Sequence, residues 1–272
     1  MSAIRVRDLL WIWGMKVNAL QDTIEYAKLP FERSYVTTEQ IIAETGITNV
    51  YVAGGLDLTR ETLDSMPSAT RLVCKTSFHR SGGVKFVKDT EGTKKILRDV
   101  KKLAAADRRI DAFALDDFST GSLEAGVTES DLAGLCFDNA AGFPSMPLHG
   151  TIYPMSLEEK ALPGMLKYFD QLLLPIWFTD HVDMTDEYVE RLNELSGFKP
   201  IIYTLYVYDF GEEKPVSRMV MQKQLDIAER LLHDGKIAGC MLLGTCMFDL
   251  GWEATDCMYE WIKRTGDDKV VI

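Results

Sequence analysis

The sequence has few cysteines, and their spacing is not that of a disulfide framework or a thiol redox site. It contains five cysteines, an odd number, and no two of them have CxxC spacing, so no disulfide framework is indicated. Several stand in or beside apolar runs, where a free cysteine packs as a small hydrophobic residue. This pattern is typical of a reducing compartment, and we expect a cytoplasmic protein.

Positive charge and long apolar runs are also scarce. The chain has 41 acidic against 30 basic residues, a net charge of −11, which argues against a nucleic-acid groove or an anionic membrane surface. No apolar run reaches membrane-spanning length, and the N-terminal segment lacks the features of a secretion signal. We therefore expect no nucleic-acid and no membrane partner. The expected ligand is a small molecule or an oligosaccharide, and the oligomeric state is left open.

Several catalytic motifs are missing as well. There is no HExxH, no HxH on the first strand and no GxSxG, so the common zinc-hydrolase and serine-hydrolase layouts are not indicated. A doubly wound nucleotide-binding fold usually has a glycine-rich loop after its first strand, whereas this chain has Trp13-Gly14-Met15-Lys16 there. The prediction is that no cofactor and no metal is needed.

What the sequence does have is a repeated alternation of apolar strands and helical patterns. Strand patterns occur at 8–16, 48–53, 71–78, the start of 110–120, 146–153, 171–178, 200–208 and 237–245. Near-continuous apolar strands separated by helices indicate a parallel sheet covered by helices. Eight such units within 272 residues predict an α/β protein with a single (β/α)8 TIM barrel domain over residues 1–272. The alternative is an open, doubly wound sheet.

The most informative stretch is residues 110–120, IDAFALDDFST. An apolar strand here runs directly into Asp116 and Asp117, which repel each other and resist burial, so they contribute no stability to the strand. Strand alternation places Asp116 with the small residues Ala112 and Ala114, facing the barrel mouth, and directs Asp117 toward its edge. A simpler interpretation is that one acid caps the following loop.

In a TIM barrel the active site lies where strands end, and other polar side chains stand at those positions. The predicted strand ends carry Lys16, Lys75, His79, His149, Tyr153, Asp180, His181, Tyr208 and Asp209. Asp180 ends the sixth strand, across the mouth from the fourth, so it could pair with Asp116. Asp180 could instead begin a helix, although Asp183 is better placed for that.

Aromatic residues near the strand ends suggest the substrate class. They are Trp13, Tyr153, Trp177, Tyr206, Tyr208, Phe248 and Trp252. Aromatic rings stack on the apolar faces of sugars, while carboxylates and histidines bind the hydroxyl groups, so this mixture is typical of a carbohydrate site. About half of these rings could equally belong to the core, and for Trp177 and Tyr206 that is the preferred interpretation.

The run DAFALDDF at residues 111–118 resembles the DG-x-x-x-DD strand ends of several barrel glycoside hydrolases. In the α-galactosidase-like group, an Asp ending strand four is the nucleophile and an Asp after strand six is the acid/base. By strand order the resemblance implies these roles for Asp116 and Asp180. The chain departs from the pattern at Ala112, where glycine is usual.

The resulting hypothesis is a glycoside hydrolase that uses paired carboxylates. One carboxylate attacks the anomeric carbon or activates water, and a second, with a raised pKa, protonates the leaving oxygen. The expected catalytic residues are Asp116, Asp180 and Asp117; the expected substrate-binding residues are Trp13, Lys16, His149, Tyr153, His181, Tyr208, Asp209 and Trp252. Two alternatives stay open: a lyase or aldolase that uses a divalent metal or a Schiff base at Lys75, and a carbohydrate-binding barrel without catalysis.

Overall fold

The computed structural model describes residues 3–17, 34–53, 55–81, 85–141 and 144–271, and its central feature is a closed barrel. The barrel strands β1 to β8 are Leu10–Gly14, Asn49–Val52, Arg71–Thr76, Ile110–Leu115, Leu148–Thr151, Gln171–Pro175, Ile201–Tyr206 and Gly239–Leu243. They follow one another around the barrel in sequence order, and β8 lies beside β1. The prediction of a (β/α)8 barrel is confirmed, and closure excludes the open doubly wound sheet.

The helices α1 to α8 alternate with these strands. They are Thr38–Thr45, Arg60–Asp64, Thr90–Ala106, Glu129–Ala140, Leu162–Leu166, Thr185–Ser196, Arg218–His233 and Glu253–Thr265. Local signals set their ends, as at α1, which begins with a capping box between Thr37 and Gln40 and ends at Gly46 with a left-handed φ of 69°. Helix α5 is short, and a separate 3-10 turn, Pro154–Ser156, precedes it.

Short two-stranded ribbons complete the fold. Ala3–Arg5 pairs with Lys269–Val271, His79–Ser81 pairs with Phe86–Lys88, and Tyr208–Asp209 pairs with Lys214–Pro215, all antiparallel. The hairpin that begins at His79 follows β3 directly. Among the described residues, no helix is both long enough and apolar enough to cross a membrane.

By their contacts the residues group into two compact units. The first comprises residues 1–70, 176–186 and 202–272 and contains β1, β2, β7 and β8; the second comprises 71–175 and 187–201 and contains β3 to β6. The acidic strand end at 116–117 belongs to the second unit, whereas Asp180 and Asp209 belong to the first. The assignment of residues 1–272 to one domain stays a prediction.

Strand register in the second unit decides which side chains share a face. Lys75 of β3, Ala114 of β4, His149 of β5 and Gln171 of β6 lie side by side, and successive side chains of a strand point to opposite faces. The other face packs outward, because a Cβ on Gly150 would lie 2.7 Å from the ring of Phe169 in the segment after α5. Lys75 and His149 therefore point into the barrel.

Candidate active site

Asp116 follows β4 directly and is held by the two flanking strands. Asp116 is buried, with 7% of its surface exposed. One carboxylate oxygen, Oδ2, lies 2.5 Å from Nζ of Lys75 on β3. The other, Oδ1, accepts a hydrogen bond of 3.4 Å from Oγ1 of Thr151 on β5. The Asp116 N–H donates to the carbonyl of Thr76. The carboxylate is therefore ion-paired and fixed in place.

The ion pair also determines the state of Lys75. Burial would lower the pKa of Lys75, but the charge of Asp116 and the hydrogen bond to it outweigh burial, and the pKa is raised. A lysine that forms a Schiff base must lose its proton, which requires a lowered pKa. The pKa of Lys75 is raised instead, so its pairing with Asp116 disfavours the Schiff-base alternative.

Asp117 adopts a conformation that breaks the strand pattern. Its φ of 47° and ψ of 35° are left-handed, a region that non-glycine residues seldom adopt and that recurs at functional sites. Simple alternation would direct its side chain away from Asp116, toward the edge. Instead, Asp117 accepts a 2.6 Å hydrogen bond from the Tyr153 hydroxyl and interacts electrostatically with both Asp116 and Lys75.

The surroundings of Asp117 favour its protonated form. Burial, followed by the negative charge of Asp116, raises the pKa of Asp117 to about 6, while the Tyr153 hydrogen bond and the Lys75 charge act in the lowering direction. The two adjacent carboxyls thus have different environments: Asp116 is ion-paired with Lys75, and Asp117 can carry a proton near neutral pH. Such a divergence is how neighbouring acids are separated into an anion and a proton donor.

The loop after β4 is rigidly supported. Residues Phe118–Ser122 form a short π-helical turn, in which the Ser122 N–H donates to the Asp117 carbonyl at 3.2 Å. Such turns occur frequently at functional sites. Ser119 accepts the Tyr153 N–H through Oγ at 2.8 Å, so the loops after β4 and β5 are tied together.

His79 is a neighbour of this group to which sequence analysis gave no role. Its Nδ1 lies 3.1 Å from Oγ of Ser122, and its ring packs edge-on against Phe86 across the hairpin. A Cβ on Gly121 would lie 2.6 Å from the same ring, which explains the glycine. Burial lowers the pKa of His79, although the charge of Asp116 opposes this. Its place at a strand end was visible in the sequence, but its contacts depend on the hairpin fold.

His149 and Tyr153 were both predicted to bind substrate. Tyr153 is buried and contacts Asp117, as described above. His149 lies on the same face as Thr151 but deeper in the strand and is also buried. Burial, with a smaller contribution from the charge of Arg71, lowers the pKa of His149 to about 3. His149 is therefore neutral near neutral pH.

The first unit contains the other predicted site residues. Asp180 has 81% of its side chain exposed, and Nε2 of the adjacent His181 lies 3.9 Å from its Oδ1. Asp180 therefore lies in solvent and not in a buried pocket. Lys16 is exposed as well.

Asp209 has a different environment from Asp180. It is completely buried, and its carboxylate accepts hydrogen bonds from the N–H and hydroxyl of Thr179 and from the N–H groups of Gly211 and Glu212. Burial alone would raise the pKa of Asp209, but these donors outweigh it and lower the pKa. This carboxylate anchors the turn after β7. Its role in substrate binding stays a prediction.

Three of the predicted aromatic residues of the first unit, Trp13, Tyr208 and Trp252, are in stacked pairs. Trp13 stacks on Tyr51 with ring centroids 5.9 Å apart, and Tyr208 stacks on Trp252 at 5.8 Å. Tyr208 is buried, whereas Trp252 is partly exposed. Tyr206 is buried as expected of a core residue, but the same expectation is wrong for Trp177, which is partly exposed and lies beyond the end of β6.

Two further observations concern metals and thiols. Within the ranges that the structure describes, no three His, Cys, Asp or Glu residues come together in a group that could hold a metal ion. The five cysteines are all free, and four of them are buried.

Comparison with known proteins places the fold within a broad group. No protein-family sequence model matches the chain, and no curated protein matches it by sequence. It is similar in structure to the PgaB (BpsB) glycoside hydrolase domain of Bordetella bronchiseptica, with 11% identity and a TM-score of 0.51 over 84% of this chain and 87% of that one. It is also similar to the glycoside hydrolase family 5 enzyme PbGH5A of Prevotella bryantii B14, with 13% identity and a TM-score of 0.51 over 96% and 100% of the two chains.

A third similar structure is the spore cortex-lytic enzyme SleL of Bacillus megaterium QM B1551. It has 9% identity and a TM-score of 0.54, covering 96% of this chain and 75% of that one. At such low identity the likeness shows a shared fold alone. The resemblance in architecture to barrel glycoside hydrolases is confirmed at that level.

Proposed function

We propose that this protein is a glycoside hydrolase whose reacting groups are Asp116 and Asp117. The observation that carries the proposal is the contrast between the two adjacent carboxyls at the end of β4: one is ion-paired with Lys75 and the other has its pKa raised to about 6. Hydrolysis of a glycosidic bond needs this combination, a proton donor for the leaving oxygen and an anion for the positive charge that develops on the sugar.

In this mechanism Asp117 protonates the glycosidic oxygen. Its proton is available near neutral pH because burial and the charge of Asp116 raise its pKa. The Tyr153 hydroxyl, 2.6 Å away, orients the carboxyl and stabilises the anion that remains after transfer. The role of acid, which sequence order suggested for Asp180, is thus proposed for Asp117, because Asp180 is exposed.

Asp116 supplies negative charge to the oxocarbenium-like transition state, as nucleophile or as electrostatic stabiliser. Lys75 and Thr151 hold its two oxygens from opposite sides, so the carboxylate does not need to reorganise as charge develops on the substrate. Preorganised charge of this kind is commonly the largest contribution to catalysis.

The substrate class and location are parts of the same proposal. The similarity in fold to barrel glycoside hydrolases supports a carbohydrate substrate. Trp13, Lys16, His149, His181, Tyr208, Asp209 and Trp252 stay proposed substrate-binding residues. A cytoplasmic location is supported by the five free cysteines.

Asp116→Asn is expected to lower turnover of a hydrolysed glycoside at least about tenfold, because the amide removes the charge that stabilises the transition state. Wild type is first assayed on aryl α- and β-glycosides and on oligosaccharides, with released reducing ends as the readout. The control is Asp99→Asn on α3, whose carboxylate is part of an exposed pair with Lys102. Unchanged turnover in folded Asp116→Asn, or no hydrolysis by wild type across the panel, contradicts the proposal.

A further inference from the structure

Ser119 lies in the loop after β4 that carries Asp117, and it bonds the loop after β5 that carries Tyr153. Its Oγ accepts the Tyr153 N–H at 2.8 Å, and its carbonyl accepts the Ser156 hydroxyl at 2.7 Å. Ser119, Tyr153 and Ser156 are all buried. The segment from Tyr153 to Ser156 is therefore fastened to the loop after β4 at two points, the Tyr153 N–H and the Ser156 hydroxyl.

This fastening determines where the Tyr153 ring can go. A tyrosine side chain has only two rotatable bonds before its ring, so fixing its backbone leaves the hydroxyl few positions. In the observed position the hydroxyl donates to Oδ1 of Asp117 at 2.6 Å. Ser119 lies two residues after Asp117. The same loop therefore carries both the residue that holds the Tyr153 backbone and the carboxyl that accepts the Tyr153 hydroxyl.

We propose that Ser119 is a positioning residue, which fixes the backbone at Tyr153 so that the phenol donates to Asp117 and thereby tunes how tightly that carboxyl holds its proton. For its consequence in catalysis, this inference rests on the proposed function. The hydrogen-bond arrangement itself requires no substrate. Sequence analysis treated Ser119 only as a loop-forming residue.

The charged and titratable groups around Asp117 act in different directions. Asp116 raises the pKa of Asp117, while Tyr153 from the loop after β5 and Lys75 from β3 act in the lowering direction. On the hairpin after β3, His79 interacts electrostatically with Asp116, Lys75 and Glu124. Of these contributions, the one from Tyr153 depends on Ser119. Removing the Ser119 hydroxyl should therefore raise the pKa of Asp117 and leave the other contributions in place.

The test is a carbon-13 NMR titration of the Asp117 carboxyl in the full chain without substrate, with Asp117→Asn used to assign the signal. Tyr153→Phe is expected to raise the titration midpoint by about one pH unit, since it removes a hydrogen bond to the charged form. Ser119→Ala is expected to raise it in the same direction by the same amount or less. In the double variant, Ser119→Ala should add little to the shift of Tyr153→Phe, because both act through one hydrogen bond.

Two other serines complete the design. Ser156→Ala removes the second tie and is expected to raise the midpoint too, which provides a test if Ser119→Ala does not fold. Ser196→Ala, at the end of α6 in the same unit, removes a hydroxyl that bonds Asn193 and should leave the midpoint unchanged. A purely structural role would lower the melting temperature without moving the midpoint.

An unchanged midpoint in folded Ser119→Ala overturns the inference, as does a shift that adds fully to that of Tyr153→Phe. If Ser119→Ala does not fold, an unchanged midpoint in Ser156→Ala overturns it. These outcomes are separate from failure of the proposed function. A protein without glycosidase activity could still show the expected shifts, and an active enzyme could show none.

Discussion

Asp117→Asn is expected to lower kcat on an unactivated glycoside by about 10² to 10⁴, the usual contribution of a general acid. The amide has nearly the shape of the carboxylic acid and can still accept the Tyr153 hydrogen bond, but it has no proton to give to the leaving oxygen. On a substrate with a good leaving group, such as a nitrophenyl glycoside, the loss should be much smaller because protonation matters less. Steady-state kinetics on both substrates provide the measurement.

Asp180→Asn is the matched comparison for this substitution. The resemblance to barrel glycoside hydrolases implies the acid role for Asp180 by strand order, yet its side chain is 81% exposed. If Asp117 is the acid, Asp180→Asn should leave kcat close to the wild-type value, because its exposed carboxyl takes no part in the proton transfer. A loss confined to Asp180→Asn, with Asp117→Asn close to wild type, would return the acid role to Asp180.

Lys75→Met is expected to destabilise the protein by about 3 kcal/mol at neutral pH, because it leaves the Asp116 carboxylate without its cation in a site with little access to water. The side chain of Asp116 is only 10% exposed, whereas that of Lys75 is 31% exposed, so the loss should lie at the lower end of the range for buried pairs. Urea denaturation of both proteins measures the difference in free energy of unfolding.

The double variant Lys75→Met/Asp116→Asn separates charge from packing. A neutral amide needs no counter-charge, so the double variant should recover a large part of the stability lost in Lys75→Met. Lys102→Met is the control, because its pair with Asp99 is exposed and should contribute less than about 1 kcal/mol. Equal destabilisation by the two single lysine variants would show that the Lys75–Asp116 pair contributes no more than a surface pair.

Some of this arrangement could be predicted from the sequence because it depends on local pattern. The alternation of apolar strands and helices predicted the barrel, and an acidic pair after an apolar strand drew attention to Asp116 and Asp117. Both are properties of short segments, in which periodicity and the position of charge are visible directly. The strand count also placed β4 correctly within the barrel.

The direction of the Asp117 side chain could not be predicted in this way. Alternation assumes extended backbone, and the left-handed conformation at residue 117 ends it. Aspartate is among the residues that tolerate this conformation, but nothing in the sequence requires it here. The tie between Ser119 and Tyr153 joins residues 34 apart in the chain, which no local pattern indicates.

Lys75 and Asp180 show that a residue's position at a strand end does not determine its role. Its strand-end position makes Lys75 a candidate nucleophile, but the register of β3 with β4 brings it to Asp116 and makes it a counter-ion. Asp180 has the right position in strand order, yet the 3-10 turn Thr179–Met184 that contains it leaves it exposed. Strand order specifies a position along the rim, whereas burial there depends on how each loop folds.

The central claim is that Asp117 acts as the acid, and the pH dependence of kcat/KM tests it most directly. The acid works only when protonated, and its pKa is raised to about 6, so kcat/KM should fall as pH rises through that value. Well above it, the fall should approach tenfold per pH unit. This alkaline limb should be absent from the residual activity of Asp117→Asn. A wild-type profile that is flat between about pH 5 and pH 8, or a limb that persists in Asp117→Asn, would contradict the claim.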